Sequence, residues 1–287
     1  MVLEMGMEMN NLGTILPKLP LADWIEAFVD FLTKYLPFVF NSIAKVIEVI
    51  TENLVKFLSI GPAYVLIIII VLLSWYVVNW RLALFSLIGL GLIENLGYWP
   101  ETIHTLSLII ISVLFSIIIG VPIGIWMSQK GLVQSIVTPI LDFMQTMPAF
   151  VYLIPAVVFF GLGMVPGVIA TIVFSMPPTV RLTNLGIRQV DEELVEASNA
   201  FGATTGQRLT KVQIPLAMPT IMAGVNQTIM LSLSMVVIAS LVGAPGLGTI
   251  VYRAITQVNI GMGFEGGLAL VILAMVLDRI TQGRNKR

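Results

Sequence analysis

Gly61–Trp80 reads GPAYVLIIIIVLLSWYVVNW, a charge-free run in which Val65–Leu73 is unbroken aliphatic. Twenty apolar helical residues are about what the ~30 Å hydrocarbon core of a bilayer requires. Outward from this run the pattern repeats. Arg81 interrupts, and Leu82–Trp99 is a second, weaker span containing Glu94. Thr102–Gln129 carries no formal charge and ends at Lys130. Phe143–Val180 is 38 residues without a charge, too long for one crossing. Gly161–Leu162–Gly163–Met164–Val165–Pro166–Gly167 is its natural turn, because glycine supplies unusual backbone angles and proline resists helix continuation. The segment predicts spans over 136–160 and 166–187. Another follows at 216–242, closed by Gly243–Ala244–Pro245–Gly246–Leu247–Gly248, and a last one at 264–281. The sum is an all-α, polytopic membrane helix bundle of about seven transmembrane helices.

Composition agrees. The 287 residues are 57% hydrophobic and only 11% charged, against about 25% charged in soluble domains. A soluble chain of this length has no means of hiding so much apolar surface. The net charge of −1 provides no basic footprint for nucleic acid. With no cysteine, thiol catalysis, disulfides and Cys-based metal sites are excluded, and the single histidine, His104, speaks against a His-cluster metal site. Residues 1–20 do not read as a signal peptide: Glu4 and Glu8 precede Lys18, and no compact apolar core follows a basic start.

Orientation follows from Lys and Arg. With the loop around 188–211 in the cytoplasm, Arg81, Lys130, Arg181, Arg188, Arg208, Lys211, Arg279, Arg284, Lys286 and Arg287 fall at or near the inner face. Outside the N-terminal tail, only Arg253 falls on the outer face. Seven spans then put the N-terminus outside and the C-terminus in the cytoplasm. The tail (1–58) carries seven acids and four lysines. Within it, Ile25, Phe28, Val29, Leu32, Leu36, Val39, Phe40, Ile43, Ile47, Ile50, Leu54 and Phe57 recur at three- and four-residue spacing. This predicts an amphipathic helix in two pieces, broken near Pro37. It either lies along the membrane surface or packs against the outer span ends.

The longest hydrophilic stretch outside the tail is GIRQVDEELVEASNAFGATTGQRLTKVQIP (186–215). Asp191, Glu192 and Glu193 stand where a helix N-terminus favours acids, and Leu194, Ala197, Ala200 and Phe201 share one face. Gly202 is placed to end the helix with a left-handed cap, and a second short helix leads to Pro215. A small amphipathic helix on such a loop suits docking into a groove of another protein, and an ordinary inter-helix connection has the same pattern.

The spacing here is more specific than the pattern. Glu196–Ala197–Ser198, three residues, Gly202, nine residues, Val212, one residue, Ile214–Pro215 resembles the EAA loop of ABC importer permeases. Ser198 stands for the second Ala of that motif and Ile214 for its Leu. Thr146–Met147–Pro148–Ala149–Phe150–Val151–Tyr152–Leu153–Ile154–Pro155, Ser175–Met176–Pro177–Pro178–Thr179–Val180–Arg181–Leu182–Thr183 and the 243–248 turn resemble the permeases of glycine betaine/proline betaine uptake systems, over about 60–282. The resemblance implies a type I ABC importer permease core. It implies that Glu196, Ala197, Ser198, Ala200, Phe201, Gly202 and Ala203, with Pro215 at the next span, form a coupling helix seated in a cytoplasmic ATPase. It implies two ATPase copies, a second permease copy, and a separate substrate-binding protein outside. ATP and Mg would sit on the ATPase, with no cofactor on this chain, which lacks a phosphate-binding Gly-Lys-Ser/Thr loop. The domain division becomes a tail (1–58), two peripheral spans (59–100), a permease core (101–282) containing the loop 188–214, and a short cytoplasmic tail (283–287).

Four acids fall inside or at the ends of spans: Glu94, Asp142, Glu265 and Asp278. Such charges are either functional or interfacial, and Glu94 is the deepest by position. A quaternary ammonium offers no N–H and binds to aromatic faces, so Phe143, Phe150, Tyr152, Phe159 and Phe160, with Glu94, are candidate pathway residues or packing residues. Pro148, Pro155, Pro177, Pro178 and Pro219 are expected to break helices in the membrane. A membrane enzyme lacks converging catalytic residues here, and a channel or secondary transporter has no need of a docking loop. Another small solute (an amino acid, choline or carnitine) is the alternative cargo.

Overall fold

The structure is a computed structural model that describes residues 19–283. The first 18 residues and the four after Gly283, Arg284, Lys286 and Arg287 among them, lie outside the described residues. Every regular element described is helical. The chain divides into two compact units at residues 43 and 44.

The first unit holds α1 (Leu21–Tyr35) and the opening of α2 (Pro37–Leu58). The break expected near Pro37 falls there: α1 caps at Leu36, and a prolyl ring then starts the next helix. No residue of α1 is buried, and Trp24, Ile25, Phe28 and Tyr35 are all exposed. Phe31 and Tyr35, one turn apart, bring their rings to 4.8 Å.

The second unit is the helix bundle. After α2 come α3 (Ala63–Val77), α4 (Trp80–Asn95), α5 (Trp99–Gln129), α6 (Gly131–Thr146), α7 (Leu153–Phe160), α8 (Met164–Ser175), α9 (Pro177–Arg188), α10 (Glu192–Ala200), α11 (Thr205–Arg208), α12 (Ile214–Ala239), α13 (Leu247–Thr256) and α14 (Ile260–Gly283). Among the described residues, four helices are long and apolar enough to cross a membrane: α5, the α8–α9 rod (Met164–Arg188), the rod containing α12 (Thr205–Val242), and α14. Two further pairs pass only if a sharp bend is allowed: α2 with α3 at 94°, and α6 with Ala149–Phe160 at 108°.

Two expectations are corrected. The run 136–160 is not one straight span. Pro148 brings no N–H, Met147 and Pro148 are extended, and the Tyr152 hydroxyl donates to the Met144 carbonyl at 2.5 Å across the bend. The run 82–99 is helical only to Asn95, a 16-residue helix of about 24 Å. Glu94 therefore stands in a final turn and is exposed, not deep in a span. The prolines also divide. Pro177 starts α9, but Pro155 sits in the first turn of α7, where a missing N–H breaks no helical bond. Pro219 lies inside α12 without ending it.

Close approach of α5, α9 and α12 forms the centre. A Cβ on Gly124 would fall 2.6 Å from the Val180 carbonyl, and one on Gly186 2.9 Å from Thr220 Cβ. Small residues at such crossings let membrane helices meet backbone to backbone. Buried hydroxyls bind the same contact. Thr179 and Thr228 pair at 2.7 Å, Thr228 donates to the Ser175 carbonyl at 2.9 Å, and the Ser232 hydroxyl donates to that of Ser175 at 3.1 Å. Leu108, Val168, Ile229 and Val236 fill the apolar space beside this chain.

Candidate functional site

The 186–215 segment is built on backbone geometry at every step. Asp191 caps α10 by accepting from the Glu193 N–H at 3.2 Å, and Glu192 and Glu193 occupy the first turn. The helix ends as the sequence predicts. Gly202 has φ +79°, its N–H donates to the Asn199 carbonyl at 2.9 Å, and the Ala203 N–H donates to the Ser198 carbonyl at 3.1 Å. That pair of bonds is a Schellman closure, which needs a residue tolerant of the left-handed region. A capping box opens α11: Gln207 N–H donates to Thr204 Oγ1 at 3.3 Å, and Thr204 N–H to Gln207 Oε1 at 3.0 Å. Arg208 Nη1 then donates to Asn199 Oδ1 at 3.1 Å, strapping the second short helix to the first. One turn of π-helix, Leu209–Gln213, delivers the chain to α12, with Pro215 in its first turn.

No residue of α10 is buried, and Phe201 is 92% exposed. Glu196, Ala197 and Ala200 are exposed beside it, Ser198 and Ala203 are half-buried, and Pro215 is exposed. The loop is thus rigid by its caps yet leaves its apolar side chains uncovered by its own chain. It also hangs from two anchored helices. Arg188, closing α9, donates from Nε to Asn184 Oδ1 at 3.1 Å and from Nη2 to the Met127 carbonyl at 3.0 Å. The loop is thus continuous with α9 and α12, and Arg188 bonds the end of α9 to α5.

The candidate pathway residues separate. Phe143 and Phe150 are exposed, while Tyr152, Phe159 and Phe160 are half-buried. The bend distributes them over two helices of different direction. Glu94 joins none of them in any contact described. Of the other acids, Glu265 accepts a 2.8 Å bond from the Tyr98 hydroxyl, and Asp278 accepts from Gln282 Nε2 at 2.5 Å. Asp142 pairs with Arg181 on α9. The sequence reading missed that pairing, and also the hydroxyl chain at Ser175, Thr179, Thr228 and Ser232. Their only sequence signal was the four-residue spacing within each helix. The 243–248 turn is explained as well. Gly243 is left-handed at φ +84°, and the Leu247 N–H that starts α13 donates to Thr105 Oγ1 at 2.8 Å.

An all-helical bundle of apolar spans carrying one capped, exposed loop helix is the architecture of a multi-pass membrane permease. The chain belongs to the family of binding-protein-dependent transport system inner membrane components, whose model matches residues 116–283. It is 56% identical over 267 residues to the glycine betaine transport system permease protein OpuAB of Bacillus subtilis (strain 168), covering 93% of this chain and 95% of that one. It is 53% identical over 276 residues to the glycine betaine/carnitine transport permease protein GbuB of Listeria monocytogenes serotype 1/2a (strain 10403S), covering 95% and 98%. The glycine betaine/proline betaine permease protein ProW of Escherichia coli (strain K12) is 46% identical, over 94% of this chain and 77% of its own. Among solved structures, a chain of the inward-facing MetNI methionine ABC transporter superposes with a TM-score of 0.56 at 23% identity, over 64% of this chain and 90% of that chain. That likeness speaks for the fold.

Proposed function

We propose that this chain is the membrane subunit of an ATP-driven importer of glycine betaine or a close quaternary ammonium relative, taken up as an osmoprotectant. Two copies enclose the path, since a two-fold assembly is the commonest closed arrangement. The loop 188–214 faces the cytoplasm, where α10 seats in an ATPase subunit. Two ATPase copies bind and hydrolyse ATP with Mg, and this chain binds neither. A substrate-binding protein delivers the solute on the outer face. The N-terminus lies outside and the C-terminus in the cytoplasm, on the ten-to-one division of Lys and Arg between the faces beyond the N-terminal tail, whose four lysines are outnumbered by seven acids.

The observation that carries this reading is the capped, exposed α10 with Phe201 uncovered at its end. In the cycle, closure of the ATPase pair moves α10. The Arg208–Asn199 strap and the Arg188–Met127 bond pass that movement to the spans without slack. The substrate assignment rests on relatives named for glycine betaine at 46–56% identity.

The test is labelled glycine betaine uptake at high osmolarity, in a host without osmolyte importers, expressing this chain with an ATPase and a binding protein of the same system. Uptake that requires all three supports the reading. If the complex assembles and hydrolyses ATP but imports carnitine, choline or an amino acid instead, the substrate assignment fails and the permease assignment stands.

A further inference from the structure

Helix α6 presents three distinct faces. Val133, Val137, Leu141 and Met144 recur at three- and four-residue steps and pack with Met127 and Val180, Leu141 being 2% and Val180 0% exposed. Leu132, Ile136, Ile140 and Phe143 form a second, exposed apolar face. The third is polar: Ser135, Thr138, Asp142, Gln145 and Thr146 fall within about 100° of arc at 100° per residue. All of these except half-buried Thr138 are exposed. One apolar face packs against the chain's own core and another is exposed, and the polar stripe lies between them.

At the middle of that stripe Asp142 accepts from Arg181 Nη2. The side chains are 56% and 38% exposed, so the pair faces away from the chain's own core. Arg181 lies about 10 Å before the end of the Met164–Arg188 span. Its Nε is covered and without an acceptor, but Asp142 engages only Nη2, and the other terminal N–H groups of the partly exposed guanidinium have no protein acceptor described. An ion pair within a span, turned outward, belongs beside water and not beside acyl chains. The packing of Leu141 on Val180, each one residue earlier, fixes the spacing of the two charges.

We propose that the polar stripe of α6 lines the aqueous path and that Asp142 and Arg181 form a weak contact site for a zwitterion carrying a carboxylate and a quaternary ammonium. This rests on the betaine reading above. Arg181 takes the solute carboxylate, for which the planar guanidinium fork is suited. Asp142 supplies the negative charge that a cation without N–H groups still attracts. The stripe hydroxyls and Gln145 keep the solute hydrated on either side. Because the two charges neutralise each other when the site is vacant, the path costs little to leave empty and releases the solute readily.

The test is saturation-transfer NMR of the glycine betaine trimethyl protons with the permease–ATPase complex in nanodiscs, without binding protein, alongside uptake per ATP hydrolysed in the complete system. Wild type should give saturation transfer. Asp142→Asn and Arg181→Gln should each weaken it about tenfold and lower uptake per ATP while hydrolysis continues. Gln145→Ala, which breaks no described bond, should weaken it about threefold at an unchanged melting temperature. The exchange Asp142→Arg with Arg181→Asp should leave both readouts low. Full recovery in the exchanged pair would make it a structural strut and overturn the proposal. Betaine uptake by wild type with no saturation transfer overturns the site and leaves the transport function standing. No betaine uptake by wild type overturns both.

Discussion

Gly202 has a left-handed backbone, yet a Cβ placed there meets nothing within 4 Å. The demand for glycine at this position is therefore conformational and not steric. Gly202→Ala should cost the α10 closure about 1 kcal/mol and Gly202→Asn less, because asparagine tolerates that region. The check is ATP hydrolysis stimulated by the loaded binding protein, which should fall in the order Gly, Asn, Ala. Gly248 has the opposite character: its Cβ would lie 2.3 Å from the Val236 carbonyl. Gly248→Ala should destabilise the fold by about 1–3 kcal/mol, read as a lower melting temperature in detergent with the loop untouched. Gly202 was legible in the sequence, because its signal is local: the spacing from Glu196 and the end of an amphipathic run. The clash at Gly248 was not, since it depends on which helix lies opposite.

At the level of elements, local rules carried far. The break at Pro37 and the left-handed turn after α10 follow from the residues that stand there. The turn expected over 161–167 is confined to 161–163, where Gly161 and Gly163 have positive φ, and Met164–Gly167 already belong to α8. What failed was continuity. Pro148 was legible as a helix breaker and does break the run over 136–160, but hydropathy is blind to direction and gave no sign of a 108° bend there. The deep placement of Glu94 failed for the same reason: α4 ends at Asn95 while the apolar composition runs on. Bonds between elements were equally hidden. Thr105 lies 142 residues from the Leu247 N–H it accepts. Thr105→Val keeps the shape and leaves that buried N–H unpaired, so it should cost about 1–3 kcal/mol. Thermal unfolding in detergent measures it, and a change below ~0.5 kcal/mol would mean the α13 start is held by packing alone.

For the whole molecule, composition alone excluded soluble, nucleic-acid-binding and thiol-based functions, and the Lys/Arg division carries the proposed orientation of the spans. The orientation is directly testable because the chain has no cysteine. Asp30→Cys should react with a membrane-impermeant maleimide on intact cells, and Thr205→Cys only after permeabilisation. The reverse pattern would invert the topology and remove the loop from the ATPase side.

The central claim is that α10 transmits ATP-driven movement to the spans. It is tested most directly by glycine betaine uptake through the complete system with Gly202→Trp against wild type, at equal permease levels in the membrane. The account predicts normal insertion and assembly of the permease with uptake abolished. Uptake at the wild-type rate would contradict it, and would place the coupling elsewhere on the chain.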